Sequence, residues 1–166
     1  MRILSVFGFW RGFRRGMYRS RNKRDFAILV QNVVFNRIFA FENLPEYHAI
    51  GRRVSELSEI LDEVDSDAVG MCFDTGHAHM CGNVCDAVNA ARRIIYIHAS
   101  DNNGRKDEHL MPGKGNIDWD ALSAAIAPIK YDGVFMLETF HSIEELQLLM
   151  NAGWREKLAS ILDAMA

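Results

Sequence analysis

The stretch VGMCFDTGHAHM, residues 69–80, poses the central problem of this sequence. An apolar run from Val69 to Phe73 ends on Asp74, and a Thr-Gly turn then delivers His77 and His79. An aspartate after such a run is commonly an ordinary turn residue. The other reading is that Asp74 ends a barrel strand whose tip holds a metal ion. The rest of the chain has to decide between them.

Around this stretch, strand-like runs alternate with helical patterns. Residues 37–42 (RIFAFE), 68–74 (AVGMCFD), 94–98 (IIYIH) and 133–138 (GVFMLE) read as strands. Between them, Val54, Leu57, Ile60 and Leu61 fall at helical spacing within 46–64, where Pro45 suits the first turn. A short helix is expected over 84–92. Asp118 reads as the cap of a helix over 119–128, and Ser142-x-x-Glu145 as a capping box for the next. A last amphipathic helix is expected over 153–164. Strand and helix in regular succession imply parallel βα units, whose strands, covered on both faces, read as continuous apolar runs.

What ends each strand is then informative. The tips are Glu42, Asp74, His98 and Glu138, in chain order. Parallel α/β folds gather the carboxyl ends of their strands on one face. Any one of these residues alone reads as a turn acid or a satisfied core histidine. Four in succession would converge as a set of three carboxylates and one imidazole, which suits one divalent ion such as Mn²⁺, Mg²⁺, Co²⁺ or Zn²⁺. Without a cation, the clustered carboxylates would repel and be partly protonated.

The segments FENLPE, CFDTGHAH, IHASDN, DEHLMPGKGNIDW and FMLETF together resemble the xylose isomerase-like TIM-barrel superfamily. That group includes sugar and sugar-phosphate isomerases and epimerases and the AP endonuclease family 2 enzymes. The resemblance covers about residues 37–150 and implies an α/β fold, a partial (β/α)8 barrel of about four C-terminal βα units. It implies that Glu42, Asp74, His98 and Glu138 bind one divalent metal. Glu42 and Glu138 would also form an acid/base pair moving a proton beside a carbonyl. It implies substrate contact for His77. Asp107 and His109 stand where AP endonucleases place two further zinc ligands, although sugar isomerase-like members carry a similar Asp-x-His-x-x-Pro-Gly-x-Gly. Arg105 and Lys106 could hold a sugar hydroxyl or phosphate, or be solvated. Gly113 and Gly115 would let the loop backbone turn and approach a ligand. His79 reads as structural, His48 and His141 as surface groups, and Trp154 and Met165 as packing.

Composition limits the alternatives. The chain has 166 residues, 49% hydrophobic and 25% charged, with a formal net charge of −3, which is globular. Residues 1–40 hold nine of the 19 basic residues but one of the 22 acidic ones. Such an arm could contact nucleic acid, though a solvated leader is the simpler reading. Residues 1–36 therefore read as a basic N-terminal segment with no assigned role, carrying at most a weak strand over 27–35, and residues 37–166 as the half-barrel. Three cysteines, Cys72, Cys81 and Cys85, read as free thiols of a reducing compartment. ILSVFGFW lacks a signal cleavage site, and FAILVQNVVFNRIFAF is too short and polar to span a bilayer. The cytoplasm is expected.

A full barrel needs eight βα units and about 250 residues. Four units leave open sheet edges, so the chain reads foremost as a fragment of a longer enzyme, with pairing of two copies or patching by residues 1–36 as alternatives. No histidine precedes His48, so two AP endonuclease zinc ligands have no counterpart. The expected function is a metal-dependent isomerase or epimerase domain acting on a small sugar or sugar phosphate. The alternatives are a zinc phosphodiesterase acting on DNA and a non-catalytic half-barrel.

Overall fold

Apolar strands followed by one-sided amphipathic helices build a parallel sheet with its helices packed on one face. The computed structural model describes residues 3–5, 38–82, 84–91 and 93–165. Its strands are β1 (Ile3–Ser5), β2 (Ile38–Glu42), β3 (Val69–Asp74), β4 (Ile94–Ala99) and β5 (Val134–Leu137). They lie side by side in chain order, and every neighbouring pair is parallel. The four expected strands are present to within about a residue at each end. A fifth, Ile3–Ser5, pairs with β2 through Ile3–Ile38 and Ser5–Ala40. The strand considered over 27–35 lies outside the described residues.

The helices are α1 (Val54–Val64), α2 (Thr75–Met80), α3 (Val84–Ala90), α4 (Trp119–Ile126), α5 (Ile143–Leu149) and α6 (Arg155–Met165). The caps at Asp118 and Ser142 form as expected, with Asp118 accepting from the Ala121 N–H at 2.9 Å and Glu145 completing the capping box. One boundary moves. The helix expected from residue 46 begins at Val54, because 45–53 is used in turns. The Leu44 N–H donates to the Gly51 carbonyl at 2.9 Å, and Gly51 takes φ +83°, closed to a right-handed helix. Another element was hidden. The Thr-Gly turn after Asp74 is the first turn of α2.

Side chains two apart along a strand share a face. Met71 and Phe73 of β3 and Ile97 of β4 enter the apolar core with Val54, Leu57, Ile60 and Leu61 of α1 and Leu122 and Ile126 of α4. The opposite, concave face carries Ala40 and Glu42, Cys72 and Asp74, Tyr96 and His98. Its charged and imidazole groups stand at the strand ends, with Glu42 level with Cys72 in the ladder and Asp74 level with His98. At the β5 end of the sheet, Val134 and Leu137 are exposed. A smaller apolar cluster of Met111, Trp154 and Leu158 supports the loop after β4, and Trp154 and Met165 pack as expected.

That loop is organised by one side chain. Asp101 is fully buried and accepts from the backbone N–H of Asn102 (2.8 Å), Gly113 (2.7 Å) and Ile117 (3.2 Å) and from the Trp119 indole (2.9 Å). Gly115 lies directly on the Asp101 carboxylate, where no side chain would fit. Removing the carboxylate strands several buried donors. Asp101→Ala is expected to lower stability by about 3 kcal/mol or more, read as a fall in the urea midpoint.

Candidate metal centre

The charged cluster on this face is assembled by strand ends. Glu42 is the last residue of β2 and Asp74 the last of β3. His98 is the penultimate residue of β4 and pairs directly with Asp74 in the ladder. Glu138 lies one residue past β5, where its N–H still donates to the Ala99 carbonyl at 3.1 Å. His98 Nδ1 is 2.8 Å from Glu138 Oε2, 3.6 Å from Glu42 Oε1 and 3.9 Å from Asp74 Oδ2. One donor atom from each of the four lies within 4.8 Å of all the others.

This set fits a divalent cation on its own chemistry. Glu42 Oε1, Asp74 Oδ2, His98 Nδ1 and Glu138 Oε2 are buried, and beyond the ion pairs they make with one another and with His77 none has a hydrogen-bond partner among the described residues. Buried polar atoms are rarely left so. A cation in their midst would satisfy all four at once, and three oxygens with one nitrogen suit Mn²⁺, Mg²⁺, Co²⁺ or Zn²⁺.

Left to themselves, the groups neutralise each other with protons. Burial pushes the Asp74 carboxyl up to about 7, with the His77 charge opposing and Glu42 adding to the rise. Burial works against a charged His98, but contacts with Cys72, Glu138 and Glu42 outweigh it and carry the imidazole up to about 12. For Glu42 burial again favours the neutral form, and His77 and His98 reverse it, holding the carboxyl below its ordinary value.

A second group adjoins the quartet. His77 Nδ1 donates to the Asn43 carbonyl at 2.9 Å and lies 3.3 Å from Glu42 Oε1, while its Nε2 faces Asp107 Oδ2 at 3.3 Å. The same Asp107 oxygen lies 3.1 Å from His109 Nε2, whose ring Nδ1 donates to the Glu138 carbonyl at 2.9 Å. Burial opposes the charge on His77, yet Asp107 and Glu42 lift it to about 11; His109 is raised by Asp107 in the same way. Asp107, despite partial burial, is held far below the usual carboxylate range by these two imidazoles. Thus His77, Asp107 and His109, singled out from the sequence, lie together beside the quartet. Arg105 and Lys106 do not. Asn103 bonds Glu108 through its N–H and its amide, both at 2.9 Å, and this closes a turn that carries Arg105 and Lys106 at an exposed tip. His79 is apart as well, bonded to Asn116 Oδ1 at 2.6 Å.

Several residues of the site had no sequence signal of their own. Asn43 grips the Asp74 backbone from both sides, donating to its carbonyl (2.9 Å) and accepting from its N–H (2.7 Å). Thr75 Oγ1 donates to the Ser100 carbonyl (2.7 Å) and accepts from its N–H (3.1 Å), and Asn102 donates to the Gly76 carbonyl (2.9 Å). Phe140 stacks on His109 with ring centroids 4.0 Å apart. A run of polar residues directly after each strand tip, such as Asn43 or Ser100–Asn102, is the one feature that could have flagged them.

The model of the xylose isomerase-like TIM-barrel family matches residues 21–164. The chain belongs to this family. It is 40% identical over 102 residues to an uncharacterised protein of Methanocaldococcus jannaschii, a stretch covering 58% of this chain and 35% of that protein. It is 31% identical over 87 residues to D-psicose 3-epimerase of Enterocloster bolteae, covering 51% of this chain and 27% of the enzyme. Probable endonuclease 4 of Mycobacterium bovis is 32% identical over 88 residues, covering 48% and 35%. Among solved structures, a D-tagatose 3-epimerase-like protein superposes with a TM-score of 0.73 at 26% identity, over 98% of this chain and 62% of that one. The chain thus matches only about a third of the length of these curated relatives, and its fold is part of their barrel. No helix among the described residues is long and apolar enough to cross a membrane.

Because Asp74 and His98 carry protons that a cation would replace, divalent ions are expected to bind with proton release and more tightly as pH rises. Calorimetry of Mn²⁺ binding in two buffers of different ionisation heat measures the protons. His98→Ala is expected to weaken binding by more than the roughly 10–100-fold that loss of an outer partner costs.

Proposed function

We propose that this chain carries the catalytic face of a divalent-metal-dependent sugar or sugar-phosphate isomerase or epimerase, which moves a proton on the carbon beside a carbonyl. The observation that supports it is the quartet of buried, unpartnered donor atoms at four successive strand ends. Glu42, Asp74, His98 and Glu138 would hold the ion. When bound, such an ion stabilises negative charge developing on the substrate carbonyl oxygen.

The proton work falls to the two glutamates. Glu42, held ionised by His77 and His98, is ready to accept a proton. Glu138 reaches His98 from the other side of the quartet and is the more exposed of the two, at the mouth. A carboxylate on each side of the reacting carbon can take a proton from one face and return one to the other. His77, Asp107 and His109 are assigned to the substrate, whereas Arg105, at its exposed turn tip, would meet only a part of the substrate that extends out of the site. Asp107 Oδ1, buried and unpartnered, is placed to accept from a sugar hydroxyl, and His77 and His109 orient that carboxylate. The names of the epimerase relatives agree with a small sugar substrate. Pairing of two copies would complete the barrel wall. The three free cysteines suit the cytoplasm.

The test is incubation of the Mn²⁺-loaded protein with ketoses in deuterated water. Metal-dependent deuterium at the carbon beside the carbonyl is expected, falling by about 10²–10⁴-fold in Glu42→Gln and Glu138→Gln. Absence of label in the loaded protein would reject the reading. The His77–Asp107–His109 group supports a second reading, a zinc phosphodiesterase of the AP endonuclease type. Zinc stoichiometry separates the two. One ion per chain is expected of the isomerase, and two or three of the phosphodiesterase.

A further inference from the structure

We infer that Cys72 gives this centre a second, overlapping donor set, Cys72 Sγ with Glu42 and His98, which draws thiophilic divalent ions away from Asp74 and down β3 toward Cys72. The inference rests on reading the quartet as a metal site, and its test is chosen to fail separately from that reading.

Three observations carry it. Cys72 is two residues before Asp74 on β3, so its side chain enters the concave face directly beneath the aspartate. One donor atom from each of Glu42, Cys72 and His98 lies within 4.8 Å of the other two. The thiol does not stand alone in an apolar floor: among the described residues Nε2 of the buried His98 has no hydrogen-bond partner, and His98 Nδ1 and Glu42 Oε1 have only the ion pairs of the site itself.

Donor chemistry then separates the two sets. The quartet offers three carboxylates and one imidazole, which Mg²⁺ and Mn²⁺ accept. The Cys72 set offers one thiolate, one imidazole and one carboxylate, a combination that favours Zn²⁺, Cd²⁺ and Co²⁺. Both sets use Glu42 and His98, so one ion excludes another. The identity of the metal therefore decides its position. A thiophilic ion shifts toward Cys72 and away from Asp74 and Glu138, which leaves the acid/base Glu138 without its neighbour. On binding, the Sγ–H bond breaks, a metal–sulfur bond forms, and the proton passes to solvent with no change of oxidation state.

Co²⁺ reports its own ligands, so the test is the absorption spectrum of the intact chain titrated with Co²⁺. A sulfur-to-cobalt charge-transfer band in the near ultraviolet, beside the visible d–d bands, is expected. It should vanish in Cys72→Ser with the d–d bands retained, and persist in Cys81→Ser and Cys85→Ser. The ratio of Cd²⁺ to Mn²⁺ affinity should fall by about tenfold or more in Cys72→Ser. In the wild-type chain, d–d bands without the sulfur band overturn the inference and leave the quartet standing. A sulfur band that survives Cys72→Ser overturns it as well. Failure to bind Co²⁺, Cd²⁺ or Mn²⁺ overturns both.

Discussion

Three carboxylates brought within a few ångströms of one another in a poorly solvated place are the constraint to which the rest of this structure answers. Asp74 is fully buried, and Glu42 and Glu138 are largely so. Like charges this close cannot all stay ionised without a cation or a proton among them. His98 stands at the middle, with Nδ1 within 3.9 Å of all three. It offers one positive charge against three negative ones, and His77, 3.3 Å from Glu42 and 3.6 Å from Asp74, adds a second. The deficit that remains is the physical reason the centre has the character of a cation site.

Holding such a cluster together takes rigid support, because each group would gain by moving apart. The parallel strands supply the first part, since their backbone ladders fix where each tip emerges. The second part is a set of short side chains that lock the segments following the tips. Asn43 ties β2 to the end of β3, and Thr75 and Asn102 tie the start of α2 to the loop after β4. Asp101 then folds that loop back so that Asp107 and His109 return to the quartet. His109 keeps a left-handed φ of 48°, an uncommon conformation for a histidine, and the fold sustains it with bonds from its ring and its carbonyl. These supports are polar and fully buried, so each contributes through the cost of leaving its partner unsatisfied.

Among the described residues, the sheet that carries all this is open. Five strands in chain order make about half of a barrel wall, and the site lies on its concave side. Four of the five tips contribute to one centre, which explains how a partial barrel can hold a complete donor set. Whatever shapes the space above the centre lies on the opposite wall, which the described residues do not form.

Much of this was written in the chain order. Apolar runs ending in Glu42, Asp74, His98 and Glu138 announced both the parallel sheet and the donor set, because a parallel sheet delivers all its carboxyl ends to one face. Capping residues such as Asp118 and Ser142 act over three or four positions, and for that reason local reading located them. The start of α1 escaped that reading, since a helical spacing extends as easily over 46–53 as over 54–64, and only the contact of Leu44 with Gly51 excludes it. Likewise nothing local pairs Asn43 with Asp74, Cys72 with His98, or Asp101 with Trp119. Those residues are 18 to 31 positions apart, and what joins them is the register between strands and the path of a loop. Periodicity and strand-end chemistry belong to the sequence. The distances that make a cluster into a site belong to the tertiary fold, because they are set by pairing between segments that carry no mark of one another.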